Sequence, residues 1–568
     1  MVCEVSGSTI VSLLVIVVVL AIVCPPLGRY LAHVFGGGPA PGDRLLLPVE
    51  RRLYRVMGTG ADREQRWSAY AMSVLALSFA TILGLYVLLR SQGRLPFNPN
   101  HVPGMSPILA FNTAASFLTG TNWQAYSGEA AASHLAQMAG LVVTQFLAGA
   151  VGLAVAVALV RGLARTGTTI GNFWVDVTRA ITRVLLPIAV PVTLVLIGLG
   201  TIQNLSGNRA ITTVAGGSQI LPGGPVATQV VAKTLGTNGG GFFNANSAHP
   251  FDNPTALTNL IQLLLCLVIP FSLPYMLGHM AKDRRQGRPL LMVMAVLWII
   301  PLALGIIGES SGNTALPRSV DQSVGFDQSG GNMEGKEIRF GPGGSAMLTL
   351  GSMGTTAGIS SSAVGSYTPT GQAGALVPIL LGEVSPGGVG SGLFGMLVNV
   401  LLATFIAGLM VGRTPVYLGK KLGPSQLKLT VLATLVTPLA VLVVAAVATR
   451  VASGTTSQPG AHGLTEMLYA AASTANGNGS AMGALTVTGT WWLTSLAAAM
   501  LIGRFLVIIP VLALAGSFVV QPRRASGTAS LDTTSRTFTL LLFAVTLIVA
   551  GMTYFPSLAL TVFRSIGG

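Results

Sequence analysis

Residues 236–254 read GTNGGGFFNANSAHPFDNP, with glycine at 239, 240 and 241 in a row. Such a run makes a poor helix and a poor strand; what it can do is present backbone. Glycine accepts backbone angles that other residues resist, so a short Gly-rich loop can aim successive carbonyl oxygens at one point. Two further stretches share this character. Thr121-Asn122 closes SPILAFNTAASFLTGTNWQ (106–124), and Asn-Gly-Asn-Gly-Ser runs through TEMLYAAASTANGNGSAMG (465–483). A remaining place is divided between GTTAGISSSAVGS (354–366) and GEVSPGGVGSG (382–392). The loops follow apolar pieces of about 8–12 residues, too short to cross a bilayer and suited to re-entrant half-helices. Rings of carbonyl oxygens from several such loops can replace the hydration shell of an ion. The partially negative C-terminal ends of the half-helices add a preference for a cation.

Other chemistries find little support. The chain has 17 Asp and Glu, and almost none falls in the middle of an apolar run. Calcium and magnesium sites draw on carboxylates or bound water, and intramembrane proton relays draw on Asp, Glu or His. Neutral carbonyl rings therefore point to a monovalent cation, without separating potassium from sodium. Asp176, with Arg179 three residues on, is expected to form a structural helix pair, and His249 and Asp252 to shape the loop that contains them. Cys3, Cys24 and Cys266 have no metal or disulfide spacing and read as small packing residues. There is no G-x-x-x-x-G-K-[ST] phosphate loop, no Asp-Lys-Thr-Gly phosphorylation motif and no cluster suited to a metal hydrolase. Catalysis is not expected in this chain, nor is an organic cofactor.

The elements that must hold the loops are membrane helices. At 568 residues, 51% hydrophobic and 9% charged, the chain falls far below the roughly 25% charged residues of soluble domains. Apolar runs predict ten spans near 8–24, 66–90, 134–160, 172–202, 255–280, 290–308, 392–418, 427–450, 487–518 and 536–562. Lys and Arg concentrate in the loops after the odd-numbered spans and at nearby helix ends, with Arg179, Arg183 and Arg504 counted there. By the positive-inside rule those loops face the cytoplasm and both termini lie outside. The net charge of +15 is thus a topology signal and argues against a nucleic-acid partner. The first apolar run reads as a retained helix, not a cleaved signal, and Trp491 and Trp492 as interfacial anchors.

External connections are long and rich in Gly, Ser, Thr and Asn: 91–133, 203–254, 309–391 and 451–486. The expected fold is an all-α polytopic membrane protein, with four helix–pore-loop–helix units on a pseudo-fourfold axis. The units are 66–160, 161–280, 281–421 and 422–518. They are flanked by an N-terminal helix with a basic loop (1–65) and a C-terminal helix (519–568).

Residues 236–254 closely resemble the signature of the KdpA family, channel-like potassium-binding subunits of bacterial Kdp pumps. TNWQAYSGE (121–129), GEVSPGGVGSGLFGM (382–396), GRTPVYLGKK (412–421) and ANGNGSA (475–481) agree with it across nearly the whole chain. The resemblance implies a potassium filter made of Thr121, Asn122, Thr237, Asn238, Gly239, Asn476, Gly477, Asn478 and Gly479. Gln124 and Gly240 would support its entrance. In the third unit the family's filter precedes Gly-Glu-Val, which points to Ser360, Ser361 and Ser362, with Ser362 where the family commonly has glycine. Arg413, in a segment resembling the family's interrupted third-unit helix, becomes a gating candidate. The resemblance also implies a bacterial plasma membrane, an intramembrane tunnel, a P-type ATPase partner (KdpB-like), and KdpC-like and KdpF-like small subunits. Membrane lipid is a further expected partner. The residues alone leave open a self-sufficient potassium channel or ion-coupled symporter.

Overall fold

The computed structural model describes residues 5–38, 41–60, 63–317, 319–326, 328–458, 460–483, 485–523 and 532–562. Cys3 lies outside them. Among the described residues, ten helices are long and apolar enough to cross a membrane. In order they are Gly7–Gly36, Trp67–Arg94, Ala136–Ala164, Phe173–Gly198, Ala256–Met280, Arg284–Ser310, Ser391–Met410, Pro424–Val451, Thr490–Val519 and Arg536–Phe555. The chain is an all-α, multi-pass membrane protein, and among the described residues two small ribbons accompany the helices, Arg209–Thr212 with Ser218–Leu221 and Val416–Tyr417 with Lys420–Lys421.

Two boundaries depart from the hydropathy reading. The first helix runs through Pro25 and Pro26 to Gly36, although interior prolines usually break helices. Its continuation packs on the fifth span so closely that a Cβ at Gly28 would overlap Tyr275 and Ser272. The seventh span stops at Met410, and Gly412 takes a left-handed φ of 67° to start the tight ribbon.

Four short helices enter the bundle between spans: Pro107–Thr119, Val226–Leu235, Gly341–Met353 and Ala461–Asn476. Their sequences are small and apolar, and their C-terminal halves are buried, so they pack as core elements. Asn112 Nδ2, for example, donates to the Leu493 carbonyl of the ninth span at 2.7 Å. The third external segment carries one helix more, Pro369–Leu380, which separates 354–366 from 382–392. Two Gly-rich stretches therefore compete in the sequence where the other units have one.

On the side of the basic loops, ion pairs fasten helix ends. Asp176 does not pair with Arg179 as its spacing suggested. Its carboxylate takes a bidentate fork from Arg161 of the third span, at 2.6 and 2.8 Å, and a bond from Tyr70 at 3.0 Å. A buried carboxylate needs such full satisfaction, and Arg179 instead lies 4.0 Å from Glu50. The amphipathic helix Asp43–Val56 is held through Glu50, which accepts from Arg183 at 2.7 Å. Cys24 and Cys266 are buried packing residues. Trp492 is no interfacial anchor: it is buried, edge-on to Trp491, with its indole N–H on Thr455 Oγ1 at 3.0 Å.

Candidate functional site

The four short helices end in loops that share one pattern of backbone angles, and three of them share one hydrogen bond. In the first, the Thr121 N–H returns to the carbonyl of Ser116 at 3.1 Å. In the second, Asn238 returns to Lys233 at 3.0 Å, and in the fourth Asn478 returns to Ser473 at 2.8 Å. Counting from Ser352 places Ala357 at the same position in the third. One residue before these positions φ is positive: Gly120 at 78°, Thr237 at 49°, Thr356 at 56° and Gly477 at 86°. One residue after, it is positive again: Asn122 at 53°, Gly239 at 69°, Gly358 at 52° and Gly479 at 88°. Left-handed residues alternating with ordinary ones turn neighbouring carbonyls toward the same side of the chain.

The loops meet in a cycle. A Cβ at Gly239 would overlap the Ala357 carbonyl oxygen, one at Gly358 would stand 2.5 Å from the Asn478 oxygen, and one at Gly479 would overlap the Thr121 oxygen. The left-handed residue of one loop thus lies on the central carbonyl of the next, from second to third to fourth to first. Asn122 joins the first loop to the second, its Nδ2 donating to the Gly239 carbonyl at 3.1 Å. Thr237 and Thr356 are β-branched residues in a left-handed conformation, a strain of about 1–3 kcal/mol each. They are held there: Thr237 Oγ1 accepts from the Val389 N–H at 2.8 Å, and Thr356 Oγ1 donates to the Thr237 carbonyl at 3.1 Å.

Nine of the sequence-derived residues fall in this assembly: Thr121, Asn122, Thr237, Asn238, Gly239, Asn476, Gly477, Asn478 and Gly479. Asn476 is the last residue of its helix, and its side chain bonds back to the Ala472 carbonyl at 2.9 Å. Ser360, Ser361 and Ser362 do not share the register. They follow it, and their hydroxyls serve local bonds: Ser361 to the Ser345 carbonyl at 3.3 Å, Ser362 with Thr349 and Tyr367 at 3.0 and 2.6 Å, and Ser360 to the Ser362 carbonyl. Thr356, Ala357 and Gly358 occupy the third position instead. The count from the last turn of the preceding apolar helix is the signal that finds them.

Outside the ring is a mouth of ≈ 770 Å³, lined by Asn122, Gln124, Tyr126, Gly240, Gly479 and Ser480 among others, with Lys336, Glu337 and Glu466 as its charged residues. Gln124 Oε1 accepts from the Gly241 N–H at 2.8 Å, and the Gly240 carbonyl accepts from Asn246 Nδ2 at 2.6 Å, so both expected entrance residues brace the second loop. Just behind, His249 stacks on Phe243 with ring centroids 3.7 Å apart, and burial pushes its pKa below the ordinary value. On the other side of the ring is a cavity of ≈ 160 Å³, lined by Thr121, Thr237, Asn238, Gly477, Asn399 and Arg504, and extending among the seventh, eighth and tenth spans.

Arg413 is exposed beyond the end of the seventh span and does not line that cavity. The cation that does is Arg504, which is mid-helix in the ninth span, not at a helix end, and donates to the Ala148 carbonyl at 2.8 Å. An intramembrane ionisable residue on a cavity wall is a functional candidate by default, and its position inside a 30-residue apolar helix was the available signal. Among the described residues no group of His, Cys, Asp and Glu could hold a metal ion. What the site offers a cation is backbone and amide oxygen.

The chain is similar to known proteins over nearly its whole length. The family model described as KdpA, potassium-transporting ATPase A subunit, matches residues 14–564. A protein of Mycobacterium tuberculosis (strain ATCC 25618 / H37Rv), named potassium-transporting ATPase potassium-binding subunit, is 48% identical over 560 residues, 98% of each chain. Proteins of the same name from Kineococcus radiotolerans and Rhodospirillum centenum are 48% and 47% identical, covering 96% and 95% of this chain and 96% and 94% of theirs. The crystal structure of the potassium transporter TrkH from Vibrio parahaemolyticus aligns with a TM-score of 0.50 at 15% identity, over 90% of this chain and 98% of that one. At that identity the likeness is one of fold.

Proposed function

The chain belongs to the KdpA family of potassium-transporting ATPase A subunits, and on that premise we propose that it selects external potassium in the ring of loop carbonyls and hands it to a separate P-type ATPase subunit. The observation that carries this reading is the alternation of left-handed residues common to the four loops. Potassium entering from the mouth exchanges water for the carbonyls of Thr121, Asn238, Ala357 and Asn478 and their neighbours in the loops. Gln124 and Gly240 hold the entrance. The four short helices direct their negative ends at the ion. Thr356–Gly358 replace Ser360–Ser362 as the third unit's contribution.

Beyond the ring the ion reaches the inner cavity. Arg504 there opposes a cation moving straight on toward the basic face, a role assigned to it in place of Arg413. The open direction is sideways, past the tenth-span residues Thr546 and Thr553, into a tunnel completed by the partner. ATP hydrolysis belongs to that KdpB-like partner, and KdpC-like and KdpF-like subunits complete the complex. The mouth and both termini face outward across a bacterial plasma membrane, and the four pore units are 66–160, 161–280, 281–421 and 422–518.

The test is rubidium uptake in cells lacking other potassium transport, with this chain alone and then with its ATPase partner and small subunits. Uptake only in the full set, abolished by inactivating the partner's phosphorylation site, is the expected result. Robust uptake by the chain alone would overturn it in favour of a channel or symporter.

A further inference from the structure

Three of the four loops hold their outer carbonyl in the same way. Ser116 Oγ donates to the Trp123 carbonyl at 2.9 Å, Ser352 Oγ to Ile359 at 2.7 Å, and Ser473 Oγ to Ser480 at 2.7 Å, each seven residues on. In the second unit that place is taken by Lys233, and seven residues on lies Gly240. The Gly240 carbonyl receives its hydrogen bond from Asn246 Nδ2 at 2.6 Å, while Asn246 Oδ1 accepts from Lys233 Nζ at 3.2 Å. The ammonium also bonds Ser247 Oγ at 3.0 Å and Asp252 Oδ2 at 2.9 Å, and Lys233, Ser247 and Asp252 are fully buried.

We infer that Lys233 is a positioning residue for the second filter loop, fixing the Gly240 carbonyl through Asn246. An amide can present either end, and a carbonyl can only accept. An ammonium can only donate, so together with the Ser247 N–H, which donates to the same oxygen at 2.9 Å, it locks Oδ1 inward and leaves Nδ2 for Gly240. Without the ammonium, fewer donors oppose a turn of the amide that would set oxygen against oxygen at the outer end of the filter. Burying an ammonium costs several kcal/mol unless it is fully paired, and three serines show that a hydroxyl suffices to hold such a carbonyl directly. The lysine therefore does what a serine there does in its own loop, relayed through a second side chain. Asp252 balances its charge, so no net positive charge stands behind a cation site. Gly240 adjoins Asn122 and Gln124, its would-be Cβ falling 2.9 and 3.1 Å from them. The relay thereby sets the geometry where the ion first sheds water.

This inference rests on the filter reading above, and its test separates the two. In the assembled complex, the potassium dependence of ATP hydrolysis and the sodium-to-potassium preference are measured for Asn246→Ala, for the charge-balanced pair Lys233→Met/Asp252→Asn, and for all three changes together. The expected result is about a tenfold rise in half-saturating potassium and weaker rejection of sodium in each, with maximal turnover retained. The triple variant should be no worse than the poorer of the others, because one chain of contacts is being cut twice. Lys233→Ser/Asp252→Asn, which restores the direct hydroxyl of the other loops, should return the potassium dependence toward wild type. Additive effects, or a wild-type potassium dependence for Asn246→Ala in a correctly assembled complex, would overturn the relay. Ser352→Ala and Ser473→Ala serve as the separate check: if they too leave potassium dependence unchanged, the filter reading itself fails.

Discussion

Alanine at Gly239 and at Gly477 should differ in its effect on potassium dependence. Both positions are left-handed, with φ of 69° and 86°, so a side chain costs about 1–2 kcal/mol of backbone strain at either. They differ in space. A Cβ at Gly239 would overlap the Ala357 carbonyl oxygen and stand 3.0 Å from that of Asn478, whereas at Gly477 the nearest atom is Thr121 Oγ1 at 3.9 Å. The obstruction at Gly239 is backbone, so it is relieved only by moving a carbonyl of the proposed filter. Losing one hydrogen-bond-like contact to a charged group costs about 1.5–3 kcal/mol. At 1.4 kcal/mol per factor of ten, half-saturating potassium rises about tenfold to a hundredfold. Gly477→Ala should lower the unfolding temperature and keep a potassium dependence near wild type. The assay is potassium-dependent ATP hydrolysis by the purified complex, with thermal unfolding on the same samples. Equal shifts in both variants would refute the steric argument, and an unchanged Gly239→Ala would remove that residue from the filter.

Asp176→Asn leaves the buried Arg161 guanidinium without its countercharge, which costs about 3–5 kcal/mol; thermal unfolding should shift strongly downward, and an unmoved transition would show the pair to be dispensable. His249 has a pKa lowered by burial, so folding favours its neutral form and its contribution is full above the unfolded value near 6.5. That contribution disappears as pH falls through the folded value, and stability measured between pH 7.5 and 5 should drop more steeply for wild type than for His249→Gln. Arg504→Met removes the cation from the inner cavity; rubidium should then leak through proteoliposomes holding the complex without ATP, and tight vesicles would deny Arg504 its barrier role.

The spans and the three clearest loops were legible because each reports a local property. Apolar runs of bilayer length have no cheaper place than the membrane, and they read correctly in number even where Pro25 and Pro26 concealed the length of the first. Gly-rich loops after short apolar helices are equally local. Pairing was harder. Asp176 chose Arg161 over Arg179 because three elements converge on one buried carboxylate, and nothing in the spacing of 176 and 179 encodes that convergence. Trp492 was misread for a related reason, since it packs in a cluster with Ala115, Trp123 and Met467, far away in the chain.

The third loop shows the same limit at the site itself. Ser360-Ser361-Ser362 and Gly-Gly at 387 and 388 both attract attention by composition, yet the residues in register, Thr356, Ala357 and Gly358, are distinguished by distance from Ser352 and by backbone angle. A carbonyl site is read from φ and from hydrogen-bond count, and side-chain identity carries only part of that. Two of the eight left-handed positions are threonines, tolerated because Val389 and the neighbouring loop's carbonyl bond their hydroxyls. Composition also explains why Arg504 reads as a helix-end residue: one arginine barely alters the hydropathy of a long helix, and its significance comes from the cavity it faces. The same reasoning identifies where the sequence does speak. At the position where three pore helices have serine the second has lysine, and a departure from an internal fourfold pattern needs no other protein for comparison. Its meaning becomes chemical once Asn246 is seen to stand between that lysine and Gly240.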